Sequence, residues 1–184
     1  MSERPSVCVF CGSSPKVPPQ YLALAREVGG RIARGGADVV YGGASVGLMG
    51  AVADAALAGG ARVLGVIPAS LRAREIAHGG LTELVVVDSM ATRKDVMFSR
   101  STAFLTLPGG FGTLDELFEV VTLRQIGQHE KRTALLDHDG YWDALYAWTA
   151  RAVSEGFVPD NVRDAMERLP TLDALDAWIA SLHG

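Results

Sequence analysis

The sequence predicts an α/β chain: a Rossmann-like doubly wound parallel sheet with helices on both faces. Short apolar runs rich in β-branched residues recur along its length. Each of most of them is followed by a turn signal and then by a stretch of helical period. Helical stretches of this length between strands are what right-handed crossovers in a parallel sheet require, and they cover both of its faces.

The elements follow in order. Strands are predicted at 7–11, 38–41, 62–67, 83–87, 103–107 and 133–136, where the apolar runs fall. A first helix over 19–34 is entered through Pro18-Pro19 and left through Gly35-Gly36, matching the preference for proline at a helix start and glycine past its end. A second over 46–58 ends in the same way at Gly59-Gly60. Further helices are predicted over 90–100, 114–126 and 141–155, the last preceded by Gly140, and a final one over 172–182. No internal repeat, low-complexity tract or linker interrupts the pattern, so residues 1–184 are expected to form a single domain.

Composition narrows the function. With 48% hydrophobic and 21% charged residues the chain reads as an ordinary globular protein. A formal net charge of −4 argues against nucleic acid as a partner over a whole face, while allowing a local cationic pocket. No apolar run is long enough to span a bilayer, and the one near the start is too short for a signal-peptide core. No membrane association and a cytoplasmic location are therefore expected. The two cysteines, Cys8 and Cys11, form a C-x-x-C pair. Three apart on a strand they point to opposite faces, and no histidine or second cysteine pair supplies metal-ligand spacing, so they read as buried thiols.

In an open parallel sheet, ligands bind beyond the carboxyl ends of the strands. Glycine-rich turns fall at three of those ends: Cys11-Gly12-Ser13-Ser14, the stretch 42–50, and Pro108-Gly109-Gly110-Phe111-Gly112-Thr113. Glycine admits a ligand close to the backbone, and a helix starting just beyond offers free N–H groups and a partial positive charge that suit a phosphate. Any single such turn is equally well explained as a tight turn; three on one edge favour phosphate binding. Neither a P-loop nor G-x-G-x-x-G occurs, so a compact phosphorylated ligand such as a monophosphate is expected over a dinucleotide. The first two turns contribute Gly12, Ser13, Gly43 and Met49 as further candidate contacts.

Thr113-Leu114-Asp115-Glu116 fits a capping box, with Thr113 as N-cap and Glu116 reaching back. The alternative is that Glu116 faces the crevice as a catalytic carboxylate, with Glu119 one turn further on. Arg93 and Lys94 sit at a helix start, where cations oppose the dipole, so an anion from elsewhere is expected to compensate them. Arg93 and Glu116 follow strands expected to be neighbours, and would meet over one ligand. An arginine and a carboxylate flanking a ribosyl phosphate suit cleavage of an N-glycosidic bond through an oxocarbenium-like transition state.

The stretch Pro108-Gly109-Gly110-Phe111-Gly112-Thr113-Leu114-Asp115-Glu116 matches the P-G-G-x-G-T-x-x-E motif of the Lonely Guy family, and Met90-Ala91-Thr92-Arg93-Lys94 resembles that family's M-H-x-R-K stretch. The similarity runs from Cys11-Gly12-Ser13 to His138-Asp139-Gly140-Tyr141. The resemblance implies a homodimeric cytokinin riboside 5′-monophosphate phosphoribohydrolase. Such an enzyme releases a free base and ribose 5-phosphate, with no metal or organic cofactor. It assigns catalysis to Arg93 and Glu116. It assigns contacts with a nucleoside 5′-monophosphate to Glu75, Arg93, Lys94, Gly110, Phe111, Gly112, Thr113, Leu114, Asp115, Glu116 and Thr122. The apolar set Leu117, Phe118, Val120 and Val121 is read as subunit contact or as ordinary core. Ala91, Thr102 and Leu123 depart from the family's common histidine, aspartate and tryptophan, which bears on base preference and on the subunit contact. The family is often mislabelled lysine decarboxylase. A pyridoxal enzyme needs a Schiff-base lysine, and the chain has only Lys16, Lys94 and Lys131. A non-catalytic carrier of a nucleotide or phosphorylated cofactor is the competing reading on the same fold.

Overall fold

The structure, a computed structural model, describes residues 4–71, 77–160 and 165–184. Its strands are β1 (Ser6–Phe10), β2 (Asp38–Tyr41), β3 (Val63–Pro68), β4 (Glu83–Val87), β5 (Ala103–Thr106), β6 (Arg132–Leu136) and β7 (Glu167–Leu169). The helices are α1 (Pro19–Arg34), α2 (Gly47–Ala58), α3 (Met90–Ser99), α4 (Phe111–Gln125), α5 (Asp143–Ser154) and α6 (Leu172–Ala180), with a 3₁₀ turn at Ser181–His183. All seven strands pair in parallel, in the order β4-β3-β2-β1-β5-β6-β7. Among the described residues no helix is long and apolar enough to cross a membrane.

Alternation along β1 divides the core. Val7, Val9 and Cys11 face one layer, built with α1, α2 and α6, while Cys8 and Phe10 face the other, with α3 and α4. The two thiols thus enter different cores, as strand periodicity requires. A further apolar cluster joins Leu117 and Val121 of α4 to Trp142 and Leu135.

The strand order departs from expectation at one point that matters for the site. β4 lies at the sheet edge and β5 beside β1, so β4 and β5 are not neighbours. The chain winds outward from β1 to β4, and α3 then carries it back to the far side of β1. That reversal makes the gap between β1 and β5 the switch point, where the turns diverge and leave a crevice.

Candidate functional site

The ends of β1 and β5 are tied across the switch point. Gly12 N–H donates to the Pro108 carbonyl at 3.3 Å, and the Gly12 carbonyl accepts from Leu48 and Met49 at 3.0 and 3.3 Å. The first amides of α2 are therefore committed to the protein itself. The glycines of the 42–50 turn serve the same close assembly. A Cβ on Gly42 would lie 3.0 Å from Arg93 Cζ and nearer still to Nη2. Gly47, at φ +63°, would place one 2.6 Å from the Ser13 carbonyl carbon. Gly43, at φ +78°, is wedged against Val66 and Ile67, and Met49 is buried.

The third turn differs. A Cβ on Gly110 or Gly112 would meet nothing within 4 Å. Gly110 has φ −104° and ψ −151°, a conformation open to any residue, so neither handedness nor packing calls for glycine there. What the missing side chains leave clear is the approach to the start of α4. That helix begins at Phe111 with Gly110 as N-cap, no side-chain cap and no acid in its first turn. Its first intrahelical bond runs from Leu114 N–H to the Gly110 carbonyl at 3.0 Å. The amides of residues 111–113 thus sit at the positive end of the helix and project from it. The capping-box reading of Thr113 does not hold. The helix starts three residues before the predicted 114, and Thr113 lies buried inside its first turn, packed under Gly109.

Arg93 and Glu116 are both almost fully buried, at 3% and 4% exposure. The strands before them are separated by three others, yet both side chains act on the thiols at β1, because Arg93 reaches inward. Its Nε donates to the Val66 carbonyl within β3 at 3.1 Å and its Nη2 to the Gly42 carbonyl just past β2 at 2.9 Å. Glu116 sits on the first turn and a half of α4, beyond β5. Both side chains act on Cys11, just past β1. Burial pushes its thiol pKa up, the negative charge of Glu116 raises it further, and Arg93 opposes both. The same two side chains act with the same signs on Cys8. A fixed cation and a buried carboxylate thus both make themselves felt at the end of β1, and the carboxylate's helix has an open start.

Lys94 takes a different role from Arg93. Its Nζ lies 3.1 Å from both Asp115 and Glu119 of α4, so the expected compensating anions are these two carboxylates. Burial lowers its pKa, but the hydrogen bonds to Glu119 and Asp115 outweigh that and raise it. α3 and α4 enclose a cavity of about 210 Å³, with apolar walls from Phe10, Met97, Phe98, Val120 and Leu123. Lys94, Asp95, Glu116, Glu119 and Gln128 supply its polar lining. Phe111 is 94% exposed at the helix start, Leu114 is half-buried, Thr122 is exposed, and Gly12 and Ser13 are half-buried at the crevice. Glu75 lies outside the described residues. Of the apolar set on α4, Leu117, Val120 and Val121 are the chain's own core; Phe118 is half-exposed, with Trp148 edge-on to it at 5.8 Å. Ala91 is exposed on α3, and Thr102 closes hydrogen bonds to Ser6 at the opposite edge of the sheet. Sequence reasoning missed Gly42 and Val66 as the seat of Arg93. The doublet Gly42-Gly43 marks a tight place, but nothing in it names the guanidinium. It also missed Tyr141, whose hydroxyl donates to the Gly109 carbonyl at 2.7 Å.

The chain matches the family model described as "Possible lysine decarboxylase" over residues 49–177. It is 46% identical over 169 residues to a probable cytokinin riboside 5′-monophosphate phosphoribohydrolase of Oryza sativa subsp. japonica, covering 92% of this chain and 69% of that one. It is 43% identical to a cytokinin riboside 5′-monophosphate phosphoribohydrolase of Arabidopsis thaliana, covering 92% and 79%. Among solved structures, the molybdenum cofactor carrier protein of Chlamydomonas reinhardtii superposes with a TM-score of 0.75 at 18% identity, over 98% of this chain and 99% of that one. The molybdenum cofactor binding protein of Rippkaea orientalis gives 0.75 at 18% identity over the whole of both chains. At that identity the two structures speak for the fold alone. The decarboxylase description finds no lysine to carry it. A Schiff-base lysine must shed its proton, whereas Lys94 is held charged by two carboxylates. Burial does lower the pKa of Lys131, but that amine is spent on the Phe98 carbonyl at 2.6 Å, against the phenyl ring, and Lys16 is exposed on the loop before α1.

Proposed function

The chain belongs to the Lonely Guy family, and on that premise we propose that it hydrolyses the N-glycosidic bond of cytokinin riboside 5′-monophosphates, and of AMP, releasing the free base and ribose 5-phosphate. One observation carries the reading at the level of the site. A buried arginine and a buried carboxylate act on the same thiol at the end of β1, and the carboxylate's helix starts with two glycines, Gly110 and Gly112, that have no packing partner.

In this reading the 5′-phosphate rests on the amides of Gly110, Phe111, Gly112 and Thr113, with Leu114 and Asp115 continuing the turn. Ribose C1′ then lies within reach of Glu116. As the C1′–N9 bond loosens, positive charge develops on the ribose and the carboxylate stabilises it. Water adds to C1′ and gives its proton to Glu116; the base departs taking up one proton through solvent, and Glu116 returns its own to solvent, so the two protons balance. Arg93 cannot swing, because two carbonyls hold its guanidinium. It acts as a preorganised positive charge beside the departing, electron-rich base. Lys94 reaches the ligand only through Asp115 and Glu119, so its part is to set α3 against α4. Glu75, Thr122, Gly12 and Ser13 complete the proposed contacts, while Gly43 and Met49 serve the packing behind them.

The test is base release measured on purified protein with AMP and with isopentenyladenosine monophosphate. Glu116→Gln is expected to lower kcat by about a thousandfold while the thermal midpoint stays within a few degrees. Wild type that binds a nucleotide tightly without releasing base would leave a carrier. A homodimer in the cytoplasm belongs to the same proposal, supported by the resemblance and by the exposed Trp148, edge-on to the half-exposed Phe118. Sedimentation velocity should show twice the chain mass; a monomer at working concentration removes that part alone.

A further inference from the structure

Two adjacent glycines, Gly109 and Gly110, lead into α4, and the peptide between them is the one whose orientation the anion site can least leave free. A peptide unit is planar, so its carbonyl and its N–H point to opposite sides. Between two glycines it rotates at little steric cost. Flipped, this unit would turn the Gly110 N–H away from the open helix start and present the Gly109 oxygen in its place, repelling an anion.

The Tyr141 hydroxyl holds that oxygen at 2.7 Å. Its ring is fixed in turn by Tyr21 on α1 and by Trp142, edge-on at 5.8 and 4.8 Å. The loop that delivers it is built at some cost. Asp139, at φ +53°, is the one non-glycine residue with positive φ among the described residues, and Gly140 follows at φ +71°. Below, Trp142 N–H donates to Asp137 Oδ1 at 3.0 Å, and Arg168 pairs with the same carboxylate. On the other side of Gly109, Thr113 packs so closely that a Cβ there would come within 2.6 Å of its own.

We propose that Tyr141 is a positioning residue: its phenol locks the Gly109–Gly110 peptide so that the Gly110 amide faces the ligand's phosphate. The proposal rests on the phosphate-binding part of the reading above. The phenol touches no reacting atom, so it governs binding of the phosphate and leaves the bond-breaking step to Arg93 and Glu116.

The experiment compares wild type with Tyr141→Phe, which keeps the ring and removes only the hydroxyl. Expected are a rise of about three- to tenfold in KM for AMP, an equal rise in the inhibition constant of ribose 5-phosphate, and kcat within about twofold. Inhibition by adenosine, which has no phosphate, should be unchanged; general damage to the crevice would weaken both inhibitors together. An unchanged KM and ribose 5-phosphate constant, or equal losses for adenosine, overturns the proposal. If wild type releases no base, the hydrolase reading fails by itself, and the lock is read from the dissociation constant of ribose 5-phosphate, still expected to rise in Tyr141→Phe. Wild type that binds no ribose 5-phosphate sinks both.

Discussion

At Gly42 an added methyl group would collide with the guanidinium of Arg93, whereas at Gly112 it would project into empty space. The two substitutions to alanine should therefore part company. Gly42→Ala displaces Arg93 from its carbonyl seat, costing about 1–3 kcal/mol of stability as overpacking does, and at least tenfold in kcat/KM. Gly112→Ala leaves the protein no less stable, since alanine suits a helix better than glycine. Yet it raises KM for AMP about tenfold by crowding the phosphate. Thermal melts and steady-state kinetics on both variants check this; a Gly112→Ala enzyme with normal KM would mean that nothing approaches that amide. The sequence marks both glycines as belonging to turns at strand ends, but not which of them serves the packing. That division depends on what lies opposite each one, and the Arg93 side chain reaches Gly42 from a helix far along the chain. The anion expected to compensate Lys94 is there, in Asp115 and Glu119 on α4, but nothing near Lys94 in the sequence names those two partners.

Helices α1 and α2 pack through small residues. A Cβ on Gly29 would run into the Val52 carbonyl of α2, and one on Gly59 would come within 2.6 Å of Ala33 Cβ. Backbone in a helix cannot rotate aside, so Gly29→Ala must push the helices apart. It is expected to lower stability by about 1–3 kcal/mol, a loss of several degrees in thermal midpoint, with KM unchanged because both helices keep their starts at the crevice. A melt that overlays wild type would show that the layer gives more easily than its geometry suggests. Elements of this kind were legible in the sequence because a long apolar stripe or a run of valines survives any tertiary context. The bounds of α1, β2 and β4 agree with expectation to the residue. β7 escaped: it is three residues long, Glu167–Leu169, and only Leu169 among them is buried. The start of α4 escaped because Gly110 and Gly112 read as a turn, although the backbone is already helical at Phe111. Strand order escaped as well, since the reversal of winding after β4 leaves no local mark.

The whole molecule should be most stable between mildly acidic and mildly alkaline pH. Burial, with Glu116 adding to it, raises the pKa of the Cys8 and Cys11 thiols above 9.0. The unfolded chain thus releases protons that the folded one keeps, and stability falls as pH rises past about that value. His129 works from the other side. Burial lowers its pKa below 6.5, helped by the charges of Lys131 and Arg124 against the pull of the Val120 carbonyl. Its Nδ1 accepts from Lys131 N–H at 3.0 Å and its Nε2 meets the Val120 carbonyl at 2.7 Å, the neutral form donating there. Below pH 6.5 the unfolded chain binds a proton more readily, so this contribution is lost as pH falls. Thermal midpoints measured from pH 5 to pH 10 should fall at both ends, by about 4–8 °C for each kcal/mol in a small domain and less in a larger one. A flat alkaline limb would show that the thiols titrate without hindrance. The strand order also has a consequence for synthesis on the ribosome. β1 leaves the exit tunnel first, and β2 covers one of its edges early, but its other edge waits for β5. A nascent chain paused before Ala103 therefore displays a bare, wholly apolar central ladder that invites chaperones or aggregation. A chain ending there carries Arg93 but not Glu116, so it would lack one half of the proposed catalytic pair.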